Sequence, residues 1–302
     1  MELRQLRYFL GVAAAGSFGR AASQLHIAQP ALSRQIKALE EEFGVELLFR
    51  TARGVHVTEA GERFRALAEA LVRSVENMPH EVANHAAEPS GLVVVGLPPS
   101  IAHLVTIHLI EACEVRFPKV TLRIIEALSV FLLDWLELGK IDVAVLTDPR
   151  ESYAVVRRDL TDEDMVLVGV PARVPGGLTS VTLDQLNDYR IVISQGFERV
   201  MQPWCDAANV TPNYAMKLDS VSIVRDMTRR GMYCTIVPYG MVHSDVVAGR
   251  LNTVRFDPPI TRRLVLAFSS RRPISLSMSA VFELLEEEVN RIQTRVQVAE
   301  PG

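Results

Sequence analysis

The chain contains little cysteine and no long apolar run. Its three cysteines, Cys113, Cys205 and Cys234, form no CxxC pair, which is typical of a reducing compartment. We expect them to be small buried hydrophobic residues, with a redox sensor as the alternative. No run of about 18 apolar residues occurs, so no transmembrane helix is expected. The start, MELRQLRYFL, lacks the apolar region of a signal peptide. A cytoplasmic protein with no membrane partner is therefore expected.

The sequence also lacks the motifs of common enzyme classes. It contains no Walker loop, dinucleotide glycine fingerprint, nucleophile elbow or HExxH motif. His103 and His108 would fall on different faces of a helix, and no cysteine or carboxylate cluster completes a metal site. Asp142 and Asp148 lie near predicted strands, where turn-forming or capping roles explain them. We therefore expect no catalytic residue, no metal site and no enzyme.

The charge of the chain is unevenly distributed. The 302 residues carry a formal net charge of −4. Up to Leu39, however, five basic residues oppose the single acid Glu2, which gives this segment a net charge of +4. The five are Arg4, Arg7, Arg20, Arg34 and Lys37. An acidic protein with a basic first segment favours contact of that segment alone with a polyanion.

Three helical patterns follow one another in this basic segment. The first has an apolar stripe and ends at Gly16, and Ser17 is a good N-cap for the second. After a short turn, the third begins near Pro30, where a missing N–H does no harm. Its apolar residues Leu32, Ile36 and Leu39 share one face, and its opposite face is polar and cationic. Short helices joined by a tight turn predict a helix-turn-helix.

The polar face of the third helix predicts DNA contacts in the major groove. We expect Gln29, Ser33 and Arg34 to contact base edges or phosphates, and Lys37 to contact phosphate. Pro30 and the methyl group of Ala31 suit a thymine methyl. Next, LLF and VHV predict two short strands, joined by residues 50–54 as a wing whose turn Gly54 permits.

The ordered motifs of this region resemble the N-terminal domain of LysR-type transcriptional regulators. They are SFGRAASQLHIAQPALSRQI, ALEEEFGVELLFR, the RG turn and VTEAG, and together they span about the first 65 residues. The sequence departs from the family at Ala28, where serine is frequent, so a weaker capping contact and an unaffected reading face are expected. The resemblance implies that Arg53 contacts the minor groove or phosphate and that Arg50 anchors nearby. The alternative is that both arginines only solvate a loop.

A long helix is predicted after the wing, starting at the N-cap residue Thr58. Its apolar residues recur at spacings of three and four, which indicates a coiled-coil seam that forms a dimer. The alternative is a helix packed on its own domain. Pro79 is expected to end or kink the helix, and residues 80–90 to form a hinge. The resemblance implies antiparallel pairing of two subunits in a homodimer or homotetramer. The seam residues are Phe64, Leu67, Leu71, Val75 and Met78.

From Gly91 onward, apolar runs alternate with helical segments and predict an α/β fold with buried parallel strands. The runs are LVVVGL, VTLRIIEA, IDVAVL, MVLVGV, YRIVIS, YAMKLD, YCTIVP and LVLAFS, and a final amphipathic helix is predicted from Met278 to Ile292. The segments RFPKVTL, LELGKIDVAVL, EDMVLVGV and RRGMYCTIVP extend the resemblance. It implies two Rossmann-like lobes similar to periplasmic solute-binding proteins.

The expected protein is thus an α+β multidomain chain. It has a winged helix-turn-helix domain at residues 1–58, a linker helix and hinge at 59–90, and an α/β two-lobed effector-binding domain at 91–302. By the resemblance, lobe I comprises 91–161 and 267–302, and lobe II comprises 162–266.

Polar residues at predicted strand ends suggest the effector site between the lobes. Ser100 begins a helix whose free N–H groups suit a carboxylate. The alternative for each serine or threonine is a helix cap or loop hydrogen bond. Tyr233 is expected to narrow the crevice, and Arg225, Arg229 and Arg230 to solvate a helix. The family pattern places eight effector-binding residues: Pro99, Ser100, Ser129, Thr147, Ser194, Gln195, Phe197 and Ser220.

These patterns lead to the expectation of a DNA-binding transcriptional regulator controlled by a small-molecule effector, and of no other cofactor. Effector binding would close or rotate the lobes and change the angle between the reading heads. The expected partners are promoter DNA, further copies of the chain, the effector and RNA polymerase. An enzyme, or a ligand-binding module with a purely structural head, are the rival hypotheses.

Overall fold

A computed structural model describes residues 1–51, 54–83, 88–270 and 274–298. The chain begins with three helices, α1 (Leu3–Ala15), α2 (Phe18–Gln24) and α3 (Gln29–Phe43). Gly16 ends α1 in the left-handed conformation, and the Ser17 hydroxyl caps α2 by accepting a hydrogen bond from the Arg20 N–H. Ala28 begins α3 without a side-chain cap. This agrees with the weaker capping contact expected at Ala28.

The helices α1–α3 pack around one small apolar core. Leu32, Ile36 and Leu39 of α3 are buried there with Phe9 and Val12 of α1. This confirms the predicted inner face of α3 and leaves its opposite face toward solvent.

The wing consists of the antiparallel strands β1 (Leu48–Thr51) and β2 (Gly54–Val57). The predicted connection 50–54 was too long, because residues 50 and 51 belong to β1 and residue 54 to β2. Only residues 52 and 53 lie between the strands, and they are outside the described residues. Gly54 has φ +132°, and a Cβ there would lie 2.7 Å from the Gly16 carbonyl oxygen. A glycine is required where the wing meets the end of α1.

The linker helix α4 spans Glu59–Ala83. Thr58 caps it as predicted, since its Oγ1 accepts a hydrogen bond from the Gly61 N–H at 2.9 Å. Pro79 lies inside α4, so the expectation that it ends the helix is wrong, and residues 80–83 of the predicted hinge are helical. A proline removes one intrahelical hydrogen bond, which a long helix tolerates when its other turns are intact. Residues 84–87 of that hinge lie outside the described residues.

The remaining chain alternates strands and helices around a large sheet. Its elements, with a short 3₁₀ helix at Asp184–Asp188, are β3 (Gly91–Leu97), α5 (Pro99–Arg116), β4 (Val120–Glu126), α6 (Ser129–Glu137), β5 (Val143–Thr147), β6 (Val155–Gly169), β7 (Ser180–Val181), β8 (Val192–Ile193), α7 (Gln195–Ala208), β9 (Met216–Lys217), α8 (Val221–Arg229), β10 (Thr235–Pro238), α9 (Tyr239–Val247), β11 (Asn252–Phe256), β12 (Thr261–Ser269) and α10 (Leu276–Val298). The helix α10 is longer at both ends than the predicted Met278–Ile292.

The large sheet has the order β4-β3-β5-β12-β6-β11-β7, and β10 also pairs with β6. Strands β3, β4 and β5 are parallel as predicted. The expectation of parallel strands is wrong for β6, β10 and β12, because β12 runs antiparallel to β5 and β6, and β10 antiparallel to β6. An apolar run indicates burial but carries no information about strand direction.

The two central strands β6 and β12 are long and continuous. From Val155 to Asp164, β6 pairs with β12, and from Met165 to Gly169 it pairs with β10 and β11. The predicted lobe boundaries 161/162 and 266/267 therefore fall within these strands. The division into lobes stays a prediction.

Candidate DNA-reading surface and ligand cavity

The residues predicted to read DNA lie together on α3. Gln29, Pro30, Arg34 and Lys37 are exposed there, and Ala31 and Ser33 are half-buried. All lie away from the buried side chains that hold α3 in the core. The helix therefore presents a compact polar and cationic surface of the right size for a DNA groove.

Arg50 of the wing contacts α2 and α3 rather than solvent alone. Its guanidinium lies 4.5 Å from the centroid of the Phe18 ring, and its Nη2 donates to Ser33 Oγ at 3.1 Å. Cation–π stacking and a hydrogen bond thus fix the wing relative to the reading helix. Arg53, predicted as a second DNA contact, lies outside the described residues.

The predicted dimer seam of α4 divides into two groups. Leu67, Leu71 and Met78 are 50%, 47% and 54% exposed, which is unusual for large apolar side chains on one helix face. Val75 is half-buried. Phe64 instead joins the core of its own domain, where its ring contacts the rings of Phe9 and Phe43 at centroid distances of 5.0 and 5.3 Å.

A different face of α4 lies against the C-terminal domain. Ala66 and Ala70 are buried, and Arg73 follows them at helical spacing on the same side. The Arg73 guanidinium donates hydrogen bonds to the carbonyl oxygens of Gly139 and Lys140. Burial lowers the pKa of Arg73 from its ordinary value. The linker helix is thereby attached to the segment that follows α6.

A cavity of about 710 Å³ opens beside the central strands of the large sheet. This volume suits a small organic ligand. Six of the eight predicted effector residues line it: Pro99, Ser100, Ser129, Thr147, Ser194 and Phe197. Gln195 and Ser220 are absent from the lining. The Gln195 N–H donates to Asp219, and the Ser220 hydroxyl caps α8 by accepting from the Ile223 N–H. For Ser220 the structure favours the alternative of a helix cap.

One wall of the cavity contains a buried polar network. Ser100 Oγ, near the N-terminus of α5, accepts a hydrogen bond from Arg262 Nη1 at 2.9 Å. Arg262 also pairs with Glu163, with Nε 2.7 Å and Nη2 2.5 Å from Glu163 Oε2. The network holds a guanidinium at the cavity wall beside the N-terminus of α5, where an anionic group would be stabilised.

A second feature of the cavity is a buried hydroxyl beside this network. Ser129 Oγ accepts a hydrogen bond from the Thr147 N–H at 2.9 Å. Thr147 Oγ1 is buried and finds no hydrogen-bond partner among the described residues. A buried hydroxyl that is left unpaired costs free energy, and a ligand oxygen or nitrogen would satisfy it.

The charged residues of the cavity escaped the sequence prediction. Four arginines and two aspartates line it: Arg150, Arg199, Arg262, Arg263, Asp148 and Asp162. The predicted strand LVLAFS begins at Leu264, so it left out Arg262 and Arg263, which lie just before it. Only their position at the start of a strand could have indicated the cavity.

Two further expectations about this domain are wrong. Arg225 and Arg229 do not simply solvate α8, because both donate to the buried carboxylate of Asp245, which also accepts from Arg250. Tyr233 does not narrow the cavity. It is buried beside Val192 and Val224, with the Arg190 guanidinium 4.7 Å from its ring centroid.

The cysteines, possible metal sites and possible membrane helices complete the survey of the described part of the chain. Cys113, Cys205 and Cys234 are free and buried, and burial raises the pKa of each thiol. No group of three or more histidine, cysteine or acidic residues that could hold a metal ion occurs among the described residues. Within those residues, no helix has the length and apolar character needed to cross a membrane.

A helix-turn-helix head joined by a long helix to a domain with a ligand-sized cavity defines a ligand-responsive DNA-binding regulator. Residues 3–62 match the family model described as bacterial regulatory helix-turn-helix protein, lysR family. Residues 86–290 match the family model of the LysR substrate binding domain. The chain belongs to the LysR family of transcriptional regulators. Members of this family regulate transcription and are not enzymes, so the expectation of a regulator is confirmed.

Relatives match nearly the whole chain. The nitrogen assimilation regulatory protein nac of Klebsiella aerogenes is 31% identical over 296 residues, which cover 96% of each chain. The regulator BudR of Raoultella terrigena is 34% identical over 248 residues, covering 80% of this chain and 86% of BudR. A full-length OxyR variant of Pseudomonas aeruginosa has a TM-score of 0.71 at 25% identity, covering 96% of this chain and 94% of that structure. Full-length CbnR complexed with its target DNA has a TM-score of 0.67 at 22% identity, covering 97% and 100%, and shows the shared fold.

Proposed function

We propose that α3 enters the major groove of promoter DNA and reads it with Gln29, Ser33 and Arg34, while Lys37 binds phosphate. The observation that supports this is the polar surface of α3, held outward by three buried leucine and isoleucine side chains. Arg50 supports the surface from the wing and Arg53 remains a proposed contact. Because bacterial promoter DNA lies in the cytoplasm, we propose that the protein is cytoplasmic. RNA polymerase is proposed as a further partner at the promoter.

Footprinting of the divergent promoter beside its own gene, over a range of salt concentrations, tests the DNA assignment. We expect Arg34→Ala to reduce discrimination between operator and random duplex by about 1–3 kcal/mol. Lys37→Ala should weaken binding to all sequences alike and lower the salt slope by about 1. Lys119→Ala removes the same charge far from α3 and serves as the control. Unchanged operator choice in Arg34→Ala would contradict the reading role and favour a structural head.

We propose further that the cavity binds a small anionic effector, whose carboxylate lies at Ser100, Arg262 and the N-terminus of α5. The supporting observation is the guanidinium held at the wall of a cavity in which arginines outnumber aspartates. Calorimetry with a panel of small carboxylates and their uncharged amides tests this. We expect carboxylates alone to bind, and Ser100→Ala to bind them about tenfold more weakly, as the loss of one charge-assisted hydrogen bond predicts. Ser220→Ala, outside the cavity, is the control. Binding of only neutral or cationic compounds would contradict the proposal.

The oligomer is proposed to form through the exposed seam of α4, as an antiparallel pair within a homodimer or homotetramer. Leu67, Leu71 and Met78 support this, because their exposed apolar surface is stabilised by burial against a second copy. Sedimentation of Leu71→Glu tests it, with Glu69→Gln on the same helix as the control. We expect Leu71→Glu to dissociate into smaller species, and an unchanged sedimentation coefficient would contradict the seam.

A further inference from the structure

The helix α6 connects the cavity wall to the linker helix. At its N-terminal end, Ser129, Val130 and Leu133 line the cavity. Just beyond its C-terminal end, the carbonyl oxygens of Gly139 and Lys140 accept hydrogen bonds from Arg73 of α4. Nine helical residues separate these ends, a length of about 14 Å. One rigid element therefore contacts both the proposed ligand and the helix that carries the DNA-reading head.

The contact at Arg73 is specific for a guanidinium. Gly139 turns the chain at the end of α6 with φ +66°, and so directs two consecutive carbonyl oxygens toward α4. Arg73 Nη1 is 2.6 Å from the Lys140 oxygen, and Nη2 donates to the Gly139 oxygen. A planar fork with two donors matches this pair, and its charge complements the negative end of a helix. A lysine has a single nitrogen and cannot reproduce the two parallel bonds.

The C-terminal half of α6 is also linked to the cavity, by charge. Arg150 lines the cavity and pairs with two acids of α6, at 2.9 Å from Asp134 Oδ1 and 3.2 Å from Glu137 Oε1. An anionic ligand that attracts Arg150 would weaken these two pairs at once. Because Leu132 and Leu136 are buried and the helix backbone is hydrogen-bonded, α6 would respond as one body rather than fray.

We propose that Arg73 is the residue through which the cavity positions the linker helix, with α6 as the element that connects them. The proposal rests on the proposed function, in which the cavity controls the reading heads. Arg73 contacts neither the cavity nor the DNA-reading surface, so it is a positioning residue.

The experiment measures the distance between the reading head and the effector domain within one chain, without DNA. Spin labels are placed on the exposed positions Ser23→Cys and Asn290→Cys, and labelled chains are diluted with unlabelled ones so that only intrachain distances appear. The three native thiols are buried and are not labelled in the folded protein. Arg150→Ala imitates the release of α6 from the cavity and avoids the need for an identified ligand.

Arg150→Ala is expected to shift the label distance when Arg73 is present, and the shift is expected to be lost in Arg73→Met and reduced in Arg73→Lys. Arg65 of α4 forms ion pairs along its own helix, with Glu62 and Glu69. Arg65→Met therefore removes an arginine from α4 without touching the Arg73 contact, and it should leave the shift intact. An equal shift with and without Arg73, or no shift in either background, would overturn the proposal. Circular dichroism confirms that each variant is folded. Since DNA is absent, failure here is distinct from failure of the operator-binding test.

Discussion

Arg262 and Glu163 form an ion pair inside the protein, with Nη2 2.5 Å from Oε2 and side-chain exposures of 2% and 3%. Removing one partner leaves the other charge buried and uncompensated. We expect Arg262→Met to lower the free energy of unfolding by about 3–5 kcal/mol, as measured by urea denaturation. The double variant Arg262→Met with Glu163→Leu should recover most of the loss. A single variant as stable as the native protein would contradict this.

The carboxylate of Asp245 predicts a dependence of stability on pH. Burial raises its pKa, but hydrogen bonds from Arg229, Arg250 and Arg225 outweigh that effect, so the net shift lowers the pKa. An unfolded aspartate titrates near pH 3.9, about the usual value. The stabilisation is therefore complete above that pH and is lost as the pH falls through the lower pKa of the folded state. Urea unfolding between about pH 2 and 5 should show this slope at the acid end of the range, flattened in Asp245→Asn. Asp226→Asn removes an exposed acid of α8 and should keep the slope.

The burial of the three cysteines predicts that hydrogen peroxide does not oxidise the native protein. All three are buried, and the raised pKa of each thiol means less thiolate at neutral pH than for a free cysteine. We expect no reaction with a thiol reagent in the native protein and reaction of three thiols in urea. DNA binding should be unchanged by hydrogen peroxide. A variant with Ser23→Cys, at an exposed position, should react at once, and oxidation of the native chain would restore the redox-sensor hypothesis.

At two helical glycines, substitution by alanine is expected to change the free energy of unfolding in opposite directions. A Cβ at Gly61 would lie 2.1 Å from the Leu47 carbonyl oxygen, whereas at Gly19 the nearest atom would be 3.7 Å away. Glycine to alanine in an open helix position stabilises by about 0.5–1 kcal/mol. We expect this gain in Gly19→Ala and a loss of about 1–3 kcal/mol in Gly61→Ala, where the wing must move. Thermal unfolding of both variants measures the two changes in stability. If both variants were stabilised, or both destabilised, the close approach of Gly61 to the Leu47 carbonyl oxygen would be contradicted.

The helices were the most predictable part of the fold. Apolar periodicity and caps such as Gly16 and Ser17 are local features, and they indicated the end of α1, the start of α2 and the buried face of α3. Residues 155–164 of β6 were missed because their side chains are largely polar and exposed, so no apolar run marks them. Pro79 shows the opposite case, in which a local signal for a helix end is overridden by the rest of a long helix.

The candidate cavity was predictable only in part. Serines and threonines after predicted strands indicated its rim, since strand ends collect at one edge of a sheet. Arg262 and Glu163 are 99 residues apart in the chain and meet only through the antiparallel pairing of β6 with β12. Strand direction is not encoded in a run of apolar residues, so this pair could not be foreseen.

The continuity of β6 limits how the effector domain can deform. This strand passes from one half of the sheet to the other, because its residues 155–164 pair with β12 and its residues 165–169 pair with β10 and β11. Its pairing with β12 shifts register between Leu264 and Val265, which leaves Leu160 without an opposite residue in β12. A bulge of this kind bends a strand and increases its twist. A rotation of one half of the sheet against the other would therefore have to twist the strand that carries the bulge.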